Sequence, residues 1–113
     1  LAEYVQTFLK GRRIVLLVGM MKDKDVAECA AVYATFADAA VATQIGYPRA
    51  MPCEELAGIL KSHGVAAEAE ADEEQAVARA RALAGADGVV LICGSLYLAG
   101  DVRIRLKDDG GRL

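Results

Sequence analysis

The feature that most constrains the fold of this chain is a pair of short, uninterrupted apolar runs. The first is Ile-Val-Leu-Leu-Val at residues 14–18, closed by Gly19, and the second is Val-Val-Leu-Ile-Cys at residues 89–93, closed by Gly94. Short runs this rich in β-branched residues and leucine are typical of strands that are covered on both faces. The sequence therefore predicts a central parallel strand at the first run and a second strongly apolar strand at the other, in a sheet with helices on both sides.

Weaker strands and helical patterns alternate between and around these two runs. Strands are predicted at about residues 13–18, 39–45, 65–70 and 88–93. Helices are predicted from Leu1 to Lys10, from Asp25 to about Phe36, from Pro52 to His63, from Asp72 to about Ala84, and after Ser95 to about Lys107. This order predicts an α/β fold with a three-layer, open, mostly parallel sheet.

Local signals place several of the helix ends. Asp25 with Glu28 and Asp72 with Gln75 have the spacing of capping pairs at helix starts. A glycine closes the third predicted helix and another closes the fourth, as is common at helix carboxyl ends.

Length, composition and charge exclude several classes of protein. The 113 residues suffice for one domain, and 55% of them are apolar, so the chain can build a core. The net charge of -3 argues against a nucleic-acid surface or a basic membrane patch. No apolar stretch approaches the roughly 20 residues of a membrane span. The three cysteines are irregularly spaced, which predicts neither a disulfide framework nor a zinc site and favours a reducing, cytoplasmic location.

The loops that follow the predicted strands are the candidate binding region. In open parallel sheets, ligands bind at the carboxyl ends of the strands, beside helix amino termini. The loops in question span residues 19–25, 45–52 and 94–96.

Each of these loops carries a polar candidate that also has an ordinary structural explanation. Asp23 and Lys24 lie in a turn with four charges in four residues, which could equally be a solvated turn. Arg49 could hold a carboxylate or phosphate with its guanidinium, or be an exposed charge. Ser95 could bind a carboxylate, or simply cap the helix that follows.

Two other reactive side chains are interpreted as structural residues rather than as parts of a site. His63, in the last turn of a helix, is interpreted as structural, and Cys93 as a small core residue. The sequence contains no glycine-rich phosphate loop of either common type, so a nucleotide cradle within these residues is not expected.

Three segments together resemble the C-terminal domain of folylpolyglutamate synthase, also called bifunctional dihydrofolate synthase, in the Mur ligase superfamily. They are Gly-Met-Met-Lys-Asp-Lys-Asp at 19–25, Pro-Arg-Ala-Met-Pro-Cys-Glu-Glu-Leu at 48–56, and Gly-Ser-Leu-Tyr-Leu-Ala-Gly-Asp-Val-Arg at 94–103. Each segment alone is modest evidence, but their order and separations are similar to those of the family.

The resemblance implies an enzyme that uses ATP and Mg²⁺ to join glutamate to folate or dihydropteroate through an acyl phosphate. It also implies a larger N-terminal ATPase domain as the partner of this one. By similarity, Ser95 holds a carboxylate of the incoming glutamate, and Lys24 with Asp23 lies in the loop beside it. Arg49 is added on its loop position. No residue is assigned a catalytic or metal-binding role.

One departure from the family pattern concerns ATP. The family's C-terminal domain opens with a strand that ends in Asp-Gly-Ala-His-Asn-Pro, and this chain contains no asparagine. Residues 1–113 are therefore expected to be a single, truncated C-terminal domain of a longer ligase, inactive alone and without a cofactor of its own. The alternatives are another Mur-type amino-acid ligase domain, or a non-enzymatic α/β module that binds a small anion.

Overall fold

The computed structural model describes residues 7, 9, 11–22, 25–46 and 48–94, and these contain one four-stranded sheet. The strands are β1 (Ile14–Val18), β2 (Ala39–Ala42), β3 (Ala66–Ala69) and β4 (Val89–Cys93). Their order in the sheet is β3-β2-β1-β4, and all three neighbouring pairs are parallel. The predicted parallel sheet is confirmed, with β1 as an interior strand.

Three helices follow the first three strands in this part of the chain. They are α1 (Val26–Tyr33), α2 (Cys53–Ser62) and α3 (Glu73–Ala84). Among the described residues, no helix is both long and apolar enough to cross a bilayer. Apart from residues 7 and 9, the helix predicted over Leu1 to Lys10 lies outside the described residues, as does the helix predicted after Ser95.

The helices cover both faces of the sheet, and β1 contributes to both apolar layers. On one face, Leu16 packs in a layer with residues of α1 and α2, including Tyr33 and Leu56. On the other face, Leu17 packs with the α3 residues Ala76, Ala80 and Ala84. Every residue of β1 is at most 2% exposed, as the uninterrupted apolar run predicts. The three-layer architecture is therefore confirmed.

The strands are shorter than the sequence predicts, most clearly in β2. Its predicted end was near Ile45, but the strand stops at Ala42. The Thr43 amide still donates to the carbonyl of Val18 at 2.8 Å, but Val18 is the last residue of β1. Beyond Val18, β1 has no further residue with which β2 can pair, so the ladder between these two strands ends.

The two predicted capping pairs have different outcomes. Asp25 caps α1, since its Oδ1 accepts a hydrogen bond from the Glu28 amide at 3.1 Å. Asp72 occupies the corresponding position of α3 but makes no side-chain capping bond, so the predicted capping box is wrong. Its own amide instead donates to the Glu70 carboxylate at 3.2 Å.

Candidate functional site

The carboxyl edge of the sheet gathers the loops that the sequence singles out. In the parallel ladder Val18 pairs with Cys93, and Val18 also pairs with Ala42. The three strands β2, β1 and β4 thus end side by side, and their following loops begin at one edge. The loops after β1 and β4 therefore start next to each other.

The loop after β1 is joined to the loop before α2 by backbone hydrogen bonds. The Met51 amide donates to the Met20 carbonyl at 2.9 Å, and the Lys22 amide donates to the Arg49 carbonyl at 2.8 Å. Between these two bonds, Met21 and Ala50 form an antiparallel bridge. Met20, Ala50 and Met51 are all buried, so this loop pair, residues 19–22 with residues 48–51, rests firmly on the core.

The loop after β4 touches this loop pair at Gly94. Its backbone φ of +91° lies in the region that favours glycine. A Cβ atom at Gly94 would lie 2.7 Å from the Gly19 carbonyl oxygen and 2.9 Å from Cγ of Met20. The ends of β1 and β4 are therefore packed as closely as a glycine allows.

The sequence-predicted site residues fall unevenly within the structure. Arg49 is exposed in the loop pair, and its carbonyl is engaged by Lys22. Asp23, Lys24 and Ser95 lie outside the described residues, although their neighbours Lys22 and Gly94 are described. The roles of all four side chains in binding remain predictions.

A buried hydroxyl at this edge was not anticipated from the sequence. Thr43 follows β2 directly and is 0% exposed. Its Oγ1 reaches the Ala71 carbonyl only at 3.5 Å, a long distance for such a bond. Its place one residue beyond a buried strand could have signalled the position, but a single threonine carries no motif.

Acidic residues occupy the amino termini of the helices that start at this edge. The first turn of α2 carries Glu54 and Glu55, and the first turn of α3 carries Glu73 and Glu74. These carboxylates offset the positive ends of the helix dipoles. These helix termini therefore attract an anion less strongly than uncompensated termini would.

A tyrosine and two cysteines lie together between α1 and β4. Burial raises the pKa of Cys93 to about 12, with a smaller opposing effect from its hydrogen bond with Tyr33. Burial also raises the pKa of Tyr33, to which the Cys93 and Cys29 thiols add. A thiol with this pKa is protonated at neutral pH and is a poor nucleophile. The interpretation of Cys93 as a packing residue fits this environment.

A metal site would require a cluster of metal-binding side chains. Among the residues that the structure describes, no three His, Cys, Asp or Glu side chains lie close enough together to hold a metal ion. His63 lies at the opposite end of α2, where its Nδ1 is 2.9 Å from the Ile59 carbonyl oxygen. This placement supports its structural interpretation.

The described residues form an α/β domain in which the loops after three parallel strands begin at one edge of the sheet. Residues 1–96 match the family described as Mur ligase, glutamate ligase domain. The chain belongs to this family. A search of the curated proteins finds no match.

Solved structures extend this assignment. Escherichia coli FolC in complex with DHPP and ADP superposes with a TM-score of 0.87 over 97% of this chain, and its 24% identity shows a shared fold. Mycobacterium tuberculosis folylpolyglutamate synthase, complexed with ADP and AMPPCP, is 26% identical over 92% of this chain, with a TM-score of 0.78.

A bifunctional folylpolyglutamate synthase/dihydrofolate synthase with Mn, AMPPNP and L-glutamate bound is 28% identical over 94% of this chain, with a TM-score of 0.76. In all three comparisons the chain covers 26% of the other protein. The chain thus spans about a quarter of the length of the structures that it matches.

Proposed function

We propose that this chain is the C-terminal domain of a cytoplasmic, ATP-dependent ligase that adds glutamate to folate or dihydropteroate. In this proposal the carboxyl edge of the sheet helps to hold the incoming glutamate and to close over ATP. ATP and Mg²⁺ are held mainly by the larger N-terminal domain, which is the partner of this one. Membership of the glutamate ligase domain family and the likeness to folylpolyglutamate synthases support this function.

The adjacency of β1 and β4 is the single observation that carries the glutamate-binding role. Because Val18 pairs with Cys93, the loop that contains Lys24 and the loop that contains Ser95 begin next to each other. A hydroxyl and an ammonium that converge at a strand edge suit a carboxylate. Acidic residues already offset the nearby helix dipoles, so the charge of Lys24 is expected to contribute substantially to binding.

The amino-acid substrate is proposed to be L-glutamate rather than another amino acid. One of the similar structures has L-glutamate bound, together with AMPPNP and Mn. A comparison of glutamate, aspartate, glutamine and alanine as substrates of the full-length enzyme tests this choice. A preference for a different amino acid would favour another Mur-type ligase. Binding of a small anion without any ligation would favour the non-enzymatic, anion-binding module.

Substitution of Ser95 in the full-length enzyme tests the site directly. Loss of one hydrogen bond to a charged group costs about 1.5 to 3 kcal/mol. Ser95→Ala is therefore expected to lower kcat/KM for glutamate roughly ten- to a hundredfold, with a much smaller change in the dependence on ATP. Lys24→Ala should act in the same direction. Steady-state kinetics in which glutamate and ATP are varied separately measure both effects.

A matched control is available because the chain contains one other serine. Ser62 lies in the last turn of α2, at the opposite edge of the sheet, and its hydroxyl donates to the Ile59 carbonyl at 2.6 Å. Ser62→Ala should leave both substrate dependences unchanged. An unchanged glutamate dependence in Ser95→Ala would reduce Ser95 to a helix cap.

Arg49 and Asp23 are the weaker members of the proposed site. Arg49→Lys keeps the charge but removes the planar fork, so it separates bidentate binding from simple charge attraction. If Arg49 binds the substrate through its fork, Arg49→Lys and Arg49→Ala should raise KM for glutamate similarly. If Asp23 only orients the Lys24 loop, Asp23→Ala should have a smaller effect than Lys24→Ala in the same assay.

The isolated chain is proposed to be inactive. It lacks a phosphate loop in its sequence, and the described residues contain no metal-binding cluster. Without these elements, a transferring phosphoryl group has neither charge stabilisation nor positioning. The homogeneous chain should release no ADP from ATP above a buffer control. Sustained ATP turnover by the chain would contradict this part of the proposal.

A further inference from the structure

Gly94 is the only described residue after β4 and lies where that strand meets the loop after β1. Its carboxyl-side neighbour is Ser95, which is proposed above to bind glutamate. We propose that Gly94 is a positioning residue that sets the geometry of the glutamate site by fixing the β1 and β4 loops against each other. This inference rests on the proposed function.

Gly94 lies very close to the backbone that follows β1. The atoms nearest to an added Cβ are the Gly19 carbonyl oxygen at 2.7 Å, Cγ of Met20 at 2.9 Å and Cγ2 of Val18 at 3.1 Å. The nearest of these is a backbone atom, so it cannot move aside by a rotamer change. Any side chain at residue 94 must therefore displace the backbone after β1, or be displaced itself.

A displacement of the backbone after β1 would spread to residues 48–51 through hydrogen bonds. Met20 is 2% exposed and is confined by the core. Its carbonyl accepts from the Met51 amide, and two residues further the Lys22 amide donates to Arg49. A shift of Gly19 and Met20 would therefore strain both hydrogen bonds of the loop pair. Residues 19–22, residues 48–51 and Gly94 are thus linked to one another by direct contacts.

Gly64 shares the backbone conformation of Gly94 but not its close contact. Gly64 has a φ of +95°, close to the +91° of Gly94. A Cβ at Gly64 would meet nothing within 4 Å. Alanine at either position therefore suffers the same kind of backbone strain, but only alanine at position 94 collides with another loop. Gly64→Ala is the matched control.

The structural test compares Gly94→Ala and Gly64→Ala in the chain itself by amide hydrogen exchange and NMR chemical shifts. In Gly94→Ala, the protection of the Lys22 and Met51 amides should fall at least about tenfold more than that of the α3 amides. In Gly64→Ala, those two amides should keep their protection relative to α3. Unchanged Lys22 and Met51 amides in Gly94→Ala would overturn the proposal.

The wild-type chain provides a second measurement in case Gly94→Ala does not fold. If the loops form one unit, the Lys22 and Met51 amides should open with the same free energy and the same denaturant dependence in native-state exchange. Separate opening of the two amides would overturn the proposal without any variant.

The functional test uses the full-length enzyme with separate variation of glutamate and ATP. Gly94→Ala should raise KM for glutamate about tenfold or more with a smaller change in kcat, and leave KM for ATP nearly unchanged. Gly64→Ala should alter neither. If the exchange data change as expected but the glutamate dependence does not, Gly94 does not position the site. Ser95→Ala in the same assay separates that outcome from a failure of the proposed function, because it tests glutamate binding independently.

Discussion

Asp25 and Asp72 are two aspartates in equivalent places, each one residue before a helix. The Asp25 carboxylate accepts the Glu28 amide, whereas the Asp72 carboxylate makes no capping bond. At Asp72 the backbone amide is already held by Glu70, two residues upstream. The sequence patterns are nearly alike, but at Asp72 the Glu70 carboxylate accepts the amide that the Gln75 side chain would accept in a capping box.

Replacing these aspartates one at a time should separate the capping bond from the general attraction of a carboxylate to a helix start. Asp25→Ala is expected to lower the free energy of unfolding by about 0.5 to 2 kcal/mol, as for other helix caps. Asp72→Ala loses only the interaction with the helix dipole, about 0.3 to 1 kcal/mol. Urea denaturation of both variants measures the difference. Equal losses would show that the Asp25 bond contributes nothing.

The raised pKa of Cys93 predicts that the folded chain loses stability at alkaline pH. Its pKa is raised from 9.0 to about 12 in the folded chain. Between these two values the folded state keeps a proton that the unfolded state has released, so stability is full below about pH 9 and falls as pH rises toward 12. Tyr33, whose pKa is also raised, acts in the same direction.

Urea midpoints measured from pH 7 to pH 11 in reducing buffer test this dependence. Cys93→Ala should be less stable than wild type at neutral pH, because it loses a packed side chain, but its stability should fall less steeply above pH 9. Tyr33→Phe should also flatten the alkaline limb. Parallel curves for wild type and both variants would contradict the assignment of these two groups.

At the scale of elements, α3 covers its face of the sheet with alanines. Ala76 and Ala80 are 0% exposed and pack against residues of β1 and β2 such as Leu17 and Val41. Side chains this small let the helix backbone approach the strands closely. The packing leaves little room for larger residues.

Enlarging one of these buried alanines should therefore destabilise the fold, whereas enlarging an exposed alanine of α3 should have little effect. Ala80→Leu is expected to cost about 1 to 3 kcal/mol through overpacking. Ala82, on the same helix, is exposed, and Ala82→Leu should stay within about 0.5 kcal/mol of wild type. Thermal or urea denaturation of the two variants provides the comparison. A stabilising Ala80→Leu would reveal unfilled space beneath α3.

The element order and the parallel sheet could be predicted because apolar runs and helical periods depend on local sequence. Strand ends were less predictable: β2 stops at Ala42 because β1 stops at Val18, and this limit is set by a neighbour in space.

The candidate site was predictable to a similar extent. Parallel strands bring their following loops to one edge, so the meeting of the loops was predictable. The hydrogen bonds that join Lys22 to Arg49, and the contact of Gly94 with Gly19, depend on the exact path of each loop and left no pattern in the sequence.

At the scale of the whole molecule, β1 contributes alternate side chains to both apolar layers, as its neighbour β2 also does. Ile14, Leu16 and Val18 belong to the layer under α1 and α2, whereas Val15 and Leu17 belong to the layer under α3. The two layers lie on opposite faces of one strand. Loss of either should therefore destabilise the strand on which the other depends, and the domain should unfold as one cooperative unit.

Leu16→Ala and Leu17→Ala test this coupling, because both leucines are almost completely buried and point to opposite layers. Each substitution should lower the free energy of unfolding by about 2 to 5 kcal/mol, the range for buried leucines that leave a cavity. Hydrogen exchange should show the loss in the most protected amides of α2 and α3 alike, whichever leucine is changed. If Leu17→Ala weakened only α3 while α2 kept its wild-type protection, the two faces would be separate folding units and β1 would not couple them.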